Sequence, residues 1–98
     1  MDVRVRVPTQ LRDVVAGAAV VEVSVDDAAD GGTTVAAVLD RLGASHPALE
    51  RRIRDERGQM RPHVNVFVGA DNVRDLEGTA TPIRPGEEMA VIPAVSGG

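Results

Sequence analysis

The chain contains no cysteine, no lysine, no tryptophan and no tyrosine, and Phe67 is its single aromatic residue. Each absence closes a class of function. Without a thiol there is no disulfide scaffold, no thiolate metal site and no cysteine nucleophile. Any sulfur the protein handles must therefore be carried by something other than a side chain. All 11 basic residues are arginine, so no side-chain amine exists to accept an acyl group. One aromatic ring and a net charge of −4 make a poor nucleic-acid surface, which needs a basic field and stacking platforms. No apolar run approaches the roughly 20 residues that span a bilayer. No signal peptide opens the chain, so no membrane association and a cytoplasmic location are expected.

What is present is small and β-branched. The 98 residues suffice for one domain with a modest core, and its 43% hydrophobic content is mostly Val and Ala. Val3, Val5 and Val7 alternate with Asp2, Arg4 and Arg6, the period of a half-buried strand, which Pro8 and Thr9 end. Val21, Val23 and Val25 alternate with Glu22 and Ser24 and make a second strand, joined to the first by a long connection. With the valines inward, Arg4, Arg6 and Glu22 lie outside and are expected to pair across the strands. Val64, Val66 and Val68 face one way in a third strand, and Asn65 and Phe67 face the other. Residues 69–72 turn the chain, and Val73 begins a short return. Residues 75–84 hold no periodicity and read as an irregular connection. Pro85-Gly86-Glu87 is a turn, and residues 88–92 form the last strand.

Between the second and third strands lies a helical pattern. Thr33 or Thr34 is placed to cap it, and Val35, Val38, Leu39 and Leu42 form one apolar stripe. Gly43 reads as the residue that ends this helix, and Pro47 opens a shorter one anchored by Leu49 and Ile53. Asp26, Asp27 and Asp30 lack the spacing and closing Glu of a calcium loop. His46 and His63 have no second ligand at a metal spacing. No metal site and no catalytic side chain are expected. Arg51, Arg52, Arg54, Arg57 and Arg61 form a local basic segment, open to two readings: a solvated face, or a docking patch for an acidic partner.

This order predicts an α+β chain of β-grasp type, a mixed sheet of four to five strands with one main helix packed on one face. A right-handed crossover sets the last strand beside the first, in parallel. Residues 1–93 form the domain and 94–98 a flexible tail. Pro93 has no N–H for a ladder and marks where the chain is expected to leave the sheet. Ala94, Val95 and Ser96 are small, and Gly97 and Gly98 lack a Cβ, so the tail is expected to be mobile and slim enough for a narrow channel. The group it would present is the α-carboxylate of Gly98. With Met89 and Val91 inward, Ala90 and Ile92 lie beside the tail's exit. Together with outward-facing Phe67 they are the expected partner surface.

Val7-Pro8-Thr9 with Leu11-Arg12, Val64-Asn65-Val66-Phe67-Val68 followed by Asn72-Val73-Arg74, and Ile92-Pro93-Ala94-Val95-Ser96-Gly97-Gly98 resemble the ubiquitin-like sulfur carriers. These form the ThiS/MoaD family, which includes the thiamin and molybdopterin-synthase carriers. Within it the resemblance is greatest to the actinobacterial carriers of cysteine biosynthesis. Ser96 stands where the family usually has Ala, and Phe67 where it often has Tyr. The resemblance implies a cosubstrate rather than an enzyme. An E1-like adenylyltransferase/sulfurtransferase would consume ATP to adenylate Gly98, and a persulfide would convert the acyl-adenylate to a thiocarboxylate. No resident cofactor is implied. Gly97, Ser96, Val95, Ala94 and Pro93 would be read by the activating enzyme. A cysteine synthase-like or thiosugar synthase-like enzyme would accept the sulfur. A small subunit of molybdopterin synthase and a protein modifier acting through isopeptide bonds remain open alternatives.

Overall fold

The computed structural model describes residues 1–27 and 31–93. Its elements run β1 (Asp2–Arg6), a 3-10 turn (Thr9–Val15), β2 (Val20–Ser24), β3 (Thr33–Thr34), α1 (Val35–Ser45) and α2 (Pro47–Ile53). There follow β4 (Val64–Val68), β5 (Asp71–Asn72), two further 3-10 turns, β6 (Pro82–Ile83) and β7 (Met89–Pro93). The main sheet has the order β2-β1-β7-β4-β5, and β3 and β6 make a separate pair. β1 lies antiparallel to β2 and parallel to β7, while β7 runs antiparallel to β4. The expected adjacency of first and last strands is present, and the fold is a β-grasp.

Strand alternation sorts the side chains. Val3, Val5, Val21, Val23, Val64, Val66, Met89 and Val91 are all buried on one sheet face, and both helices cover that face. Val35, Val38, Leu39 and Leu42 supply the α1 stripe, and Leu49 and Ile53 extend it along α2. The outer face carries the intervening polar residues. Thr34 is the residue that caps α1: its Oγ1 accepts a hydrogen bond from the Ala37 N–H at 3.2 Å.

Four local expectations are corrected. Gly43 does not end α1, which continues to Ser45 with His46 as its cap. A Cβ at Gly43 would stand 3.4 Å from Glu50 Cγ, an ordinary contact, so the position lies against α2 without requiring a glycine. The return after β4 is Asp71–Asn72, not Val73, through a two-residue turn with Gly69 at φ +59°. Residues 75–84 are not structureless. Ile83 is fully buried, and β6 pairs with β3 through Thr33 opposite Ile83. Two-residue strands are too short for any period to show in a sequence. Finally, Arg4 and Arg6 pair with Glu88, at 3.6 and 3.2 Å, and not with Glu22. Arg4 stands opposite Glu22 in the ladder, but β7 on the other side brings Glu88 within reach of both guanidinium groups.

Candidate functional site

The polar face of the sheet is open because both helices lie on the other side. At its centre, Phe67 stands opposite Ala90 and Asn65 opposite Ile92, with Val64 opposite Pro93 at the end of the ladder. This register makes Phe67 and Ile92 diagonal neighbours, a spacing long side chains can bridge. Ile92 is 46% exposed, one of two large apolar residues so exposed among those described. Phe67, expected to be exposed, is half-buried, as is Ala90. The apolar patch is therefore narrower than its composition implied, with Ile92 as its accessible part.

Charge and polarity frame it. On the β1 side, Arg6 lies level with Ala90 and pairs with Glu88. On the β4 side stands a network that sequence reasoning missed. The Arg74 guanidinium donates through Nη2 to the carbonyls of Val64 at 2.7 Å and Arg61 at 2.8 Å, and through Nε to Asn65 Oδ1 at 3.2 Å. Asn72 Nδ2 donates to the same Asn65 oxygen, and Asn72 Oδ1 accepts from the Arg74 N–H. The motif Asn72-Val73-Arg74 was visible in the sequence, but its partners lie several residues upstream across a turn. Arg12 does a similar task on the other side, donating through Nε to the Val7 carbonyl at 3.1 Å.

Pro93 is the last residue of β7, where the chain was expected to leave the sheet. Ala94, Val95, Ser96, Gly97 and Gly98, the expected tail and sulfur-bearing terminus, lie outside the described residues, as does Asp30. Among the described residues no cluster of His, Cys, Asp and Glu stands together as a metal site. His46 Nδ1 lies 3.0 Å from Ser45 Oγ at the junction of the two helices, far from the patch in sequence and role. Asp27, one of the aspartates that lack calcium-loop spacing, meets the Met1 ammonium at 2.8 Å. Arg54 is held between Glu50 at 2.6 Å and Asp40 at 2.9 Å. Burial alone would lower its pKa, but the hydrogen bonds it donates to these two carboxylates outweigh that and raise it. No described helix is long and apolar enough to cross a membrane.

This face presents a small apolar spot at the end of a ladder, bordered by charged and polar side chains. Known proteins show the same scaffold. Small archaeal modifier protein 1 of Haloferax volcanii is 40% identical over 84 residues, covering 86% of this chain and 87% of that protein. Sulfur carrier protein CysO of Mycobacterium tuberculosis is 34% identical over 100 aligned positions, covering 100% of both. Among solved structures, the Amycolatopsis orientalis BexX/CysO complex contains a chain matched with a TM-score of 0.81 at 29% identity, covering 98% of this chain and 99% of that one. Such relatives are small carriers and modifiers rather than catalysts. The ThiS family model matches residues 5–98, and the chain belongs to the ThiS family, the fold and lineage of sulfur carriers and ubiquitin-like modifiers.

Proposed function

We propose that the protein is a sulfur carrier whose working group is the Gly98 carboxylate. The observation that carries this reading is the end-to-end similarity to a sulfur carrier protein, combined with a last strand that ends at Pro93 on the rim of an open sheet face. A carboxylate resists nucleophiles because its charge is delocalised and oxide is a poor leaving group. Attack of the Gly98 carboxylate on the α-phosphorus of ATP, with loss of pyrophosphate, makes an acyl-adenylate whose leaving group is AMP. The terminal sulfur of a donor persulfide then displaces AMP. A second thiol takes the bridging sulfur into a disulfide and releases Gly98 as a thiocarboxylate. That product is an anionic sulfur nucleophile at neutral pH. None of this chain's side chains takes part in the chemistry. An E1-like enzyme supplies the activation, and Pro93, Ala94, Val95, Ser96 and Gly97 are its recognition sequence. A biosynthetic enzyme accepts the sulfur, for cysteine or a thiolated metabolite, and the BexX/CysO complex is the precedent for a carrier of this fold docked on a partner.

The test is intact mass after incubation with ATP, an E1-like enzyme and a sulfur donor. The C-terminal peptide is expected to gain the difference between one sulfur and one oxygen, and a chain lacking Gly98 is expected to gain nothing. Conversion at any other position overturns the reading. A second reading, conjugation of Gly98 to other proteins' lysines, is favoured by the similarity to an archaeal modifier protein. Recovery of the domain in isopeptide linkage from cells would select it. Since the chain has no lysine, it cannot build lysine-linked chains on itself.

A further inference from the structure

The last turn of α2 and the connection from it to β4 carry five arginines, Arg51, Arg52, Arg54, Arg57 and Arg61, against the carboxylates Asp55 and Glu56, within a chain of net charge −4. Fold and hydrogen bonding divide these arginines into two groups. Arg54 is neutralised by Glu50 and Asp40, and Arg61 donates through Nε to the Arg51 carbonyl at 2.7 Å. Arg51, Arg52 and Arg57 are exposed, and their guanidinium groups meet no carboxylate or carbonyl among the described residues.

Arg51 and Arg52 stand on the last turn of α2 and Arg57 on the loop that follows, and that loop is built rather than loose. Asp55 Oδ1 accepts from the N–H groups of Arg57 at 2.9 Å and Gln59 at 3.0 Å. The Asp55 N–H donates to the Gln59 carbonyl, Gly58 takes φ +78°, and Arg54 bridges to Met60. A cleft of about 680 Å³ opens beside it, lined by Arg51, Arg54 and Arg61 together with Glu50, Asp55 and Glu56, so its charge is mixed and the unpaired guanidinium groups rather than the cleft carry the basic character. Its position matters as much as its charge. The loop runs directly into Val64, the residue opposite Pro93, and Arg74 bonds the carbonyls of both Arg61 and Val64. The basic loop and the exit of the C-terminal residues are thus fastened to the same end of the sheet.

We propose that Arg51, Arg52 and Arg57 form a docking surface for an acidic patch on the activating enzyme that takes up the C-terminal residues. This rests on the carrier reading above. An overall acidic protein that carries three unpaired guanidinium groups between residues 51 and 57 orients itself in a partner's field. Such complementarity acts mainly on encounter and register. A pre-ordered loop also loses little freedom on binding. The guanidinium groups contact no reacting atom; they are positioning residues.

The experiment has two arms. In the thiocarboxylation assay, the variant R51Q/R52Q/R57Q is expected to raise KM about tenfold with kcat unchanged, and added salt should weaken the parent more than the variant. Parent-like KM in the variant overturns the proposal, while loss of turnover on removing Gly98 keeps the carrier reading intact. Should the parent itself fail to be activated, the carrier reading falls, and the second arm decides the surface alone. There, the isotope-labelled full chain is titrated with an octaglutamate peptide and followed by amide shifts. Shifts confined to residues 51–61 and absent from the variant support an acid-binding surface. Shifts spread evenly over the chain, or matched by inorganic phosphate at equal ionic strength, overturn it. Unchanged thermal unfolding of the variant shows that the fold is intact.

Discussion

Arg74 donates a hydrogen bond of 2.7 Å to the carbonyl of Val64, the residue that stands opposite Pro93 at the end of the β4–β7 ladder. Proline has no N–H to offer its neighbour, so the last rung of this ladder is secured by a side chain from beyond the turn. The same guanidinium holds Arg61 and Asn65. One residue thus ties the basic loop, the edge of the apolar patch and the departure point of the C-terminal residues into a single rigid corner.

Replacing Arg74 with alanine leaves the nearly buried Val64 carbonyl and its neighbours without their donor. A destabilisation of about 1–3 kcal/mol is expected, since charged hydrogen bonds to enclosed acceptors are among the stronger kind. Urea unfolding measures the loss, and amide exchange should show it concentrated at the β4–β7 end. A uniform rise in exchange across the sheet would argue against a local clamp.

Gly43 sits in the interior of α1, where glycine is less favourable than alanine by roughly 0.5–1 kcal/mol. Its backbone is not in the left-handed region, and an added Cβ would meet Glu50 Cγ at 3.4 Å, an ordinary contact. Gly43→Ala is therefore expected to stabilise the protein by about that amount. A fall in the urea midpoint would show that Glu50, fixed by its 2.6 Å bond to Arg54, cannot yield the space.

The Met1 ammonium donates to the Val25 carbonyl at 2.7 Å and pairs with Asp27. The hydrogen bond it donates to Asp27 is the main cause that raises its pKa above 8.0 in the folded protein. A group with a raised folded pKa stabilises the fold fully below its unfolded value and loses that contribution as pH rises through the folded one. Stability should therefore decline above pH 8 in the parent, and Asp27→Asn should flatten that decline. Denaturant midpoints measured on either side of this value test it; identical slopes in both proteins would remove the Asp27 link.

Ile92→Asp changes an exposed side chain at the rim of the patch, and stability should move by no more than about 0.5 kcal/mol. Activation by the E1-like enzyme should fall, because an apolar contact beside the C-terminal residues is replaced by a charge that must be desolvated. Comparing kcat/KM for adenylation with that of Phe67→Asp orders the two positions. Phe67 is half-buried, so its variant should lose stability as well as activation.

The alternating valines of β1, β2 and β4, the α1 stripe and the proline that closes β7 were legible because each depends on a local period or a single backbone rule. These elements fix the β-grasp order, since a hairpin, a crossover helix and a returning strand leave few ways to bury one face of valines. The diglycine ending and its flanking small residues were equally plain. What only the tertiary structure decided is where neighbours from distant segments meet. Arg4 and Arg6 chose Glu88 over Glu22 because β7 inserts beside β1. Ile83 entered the core through a strand too short to leave a pattern, and Gly43 proved to lie inside α1, facing Glu50 of α2, rather than at a helix end. Arg74 became the clamp of the last rung. Periodicity reports which way a side chain points from its own segment, whereas its partner depends on the packing of all the others.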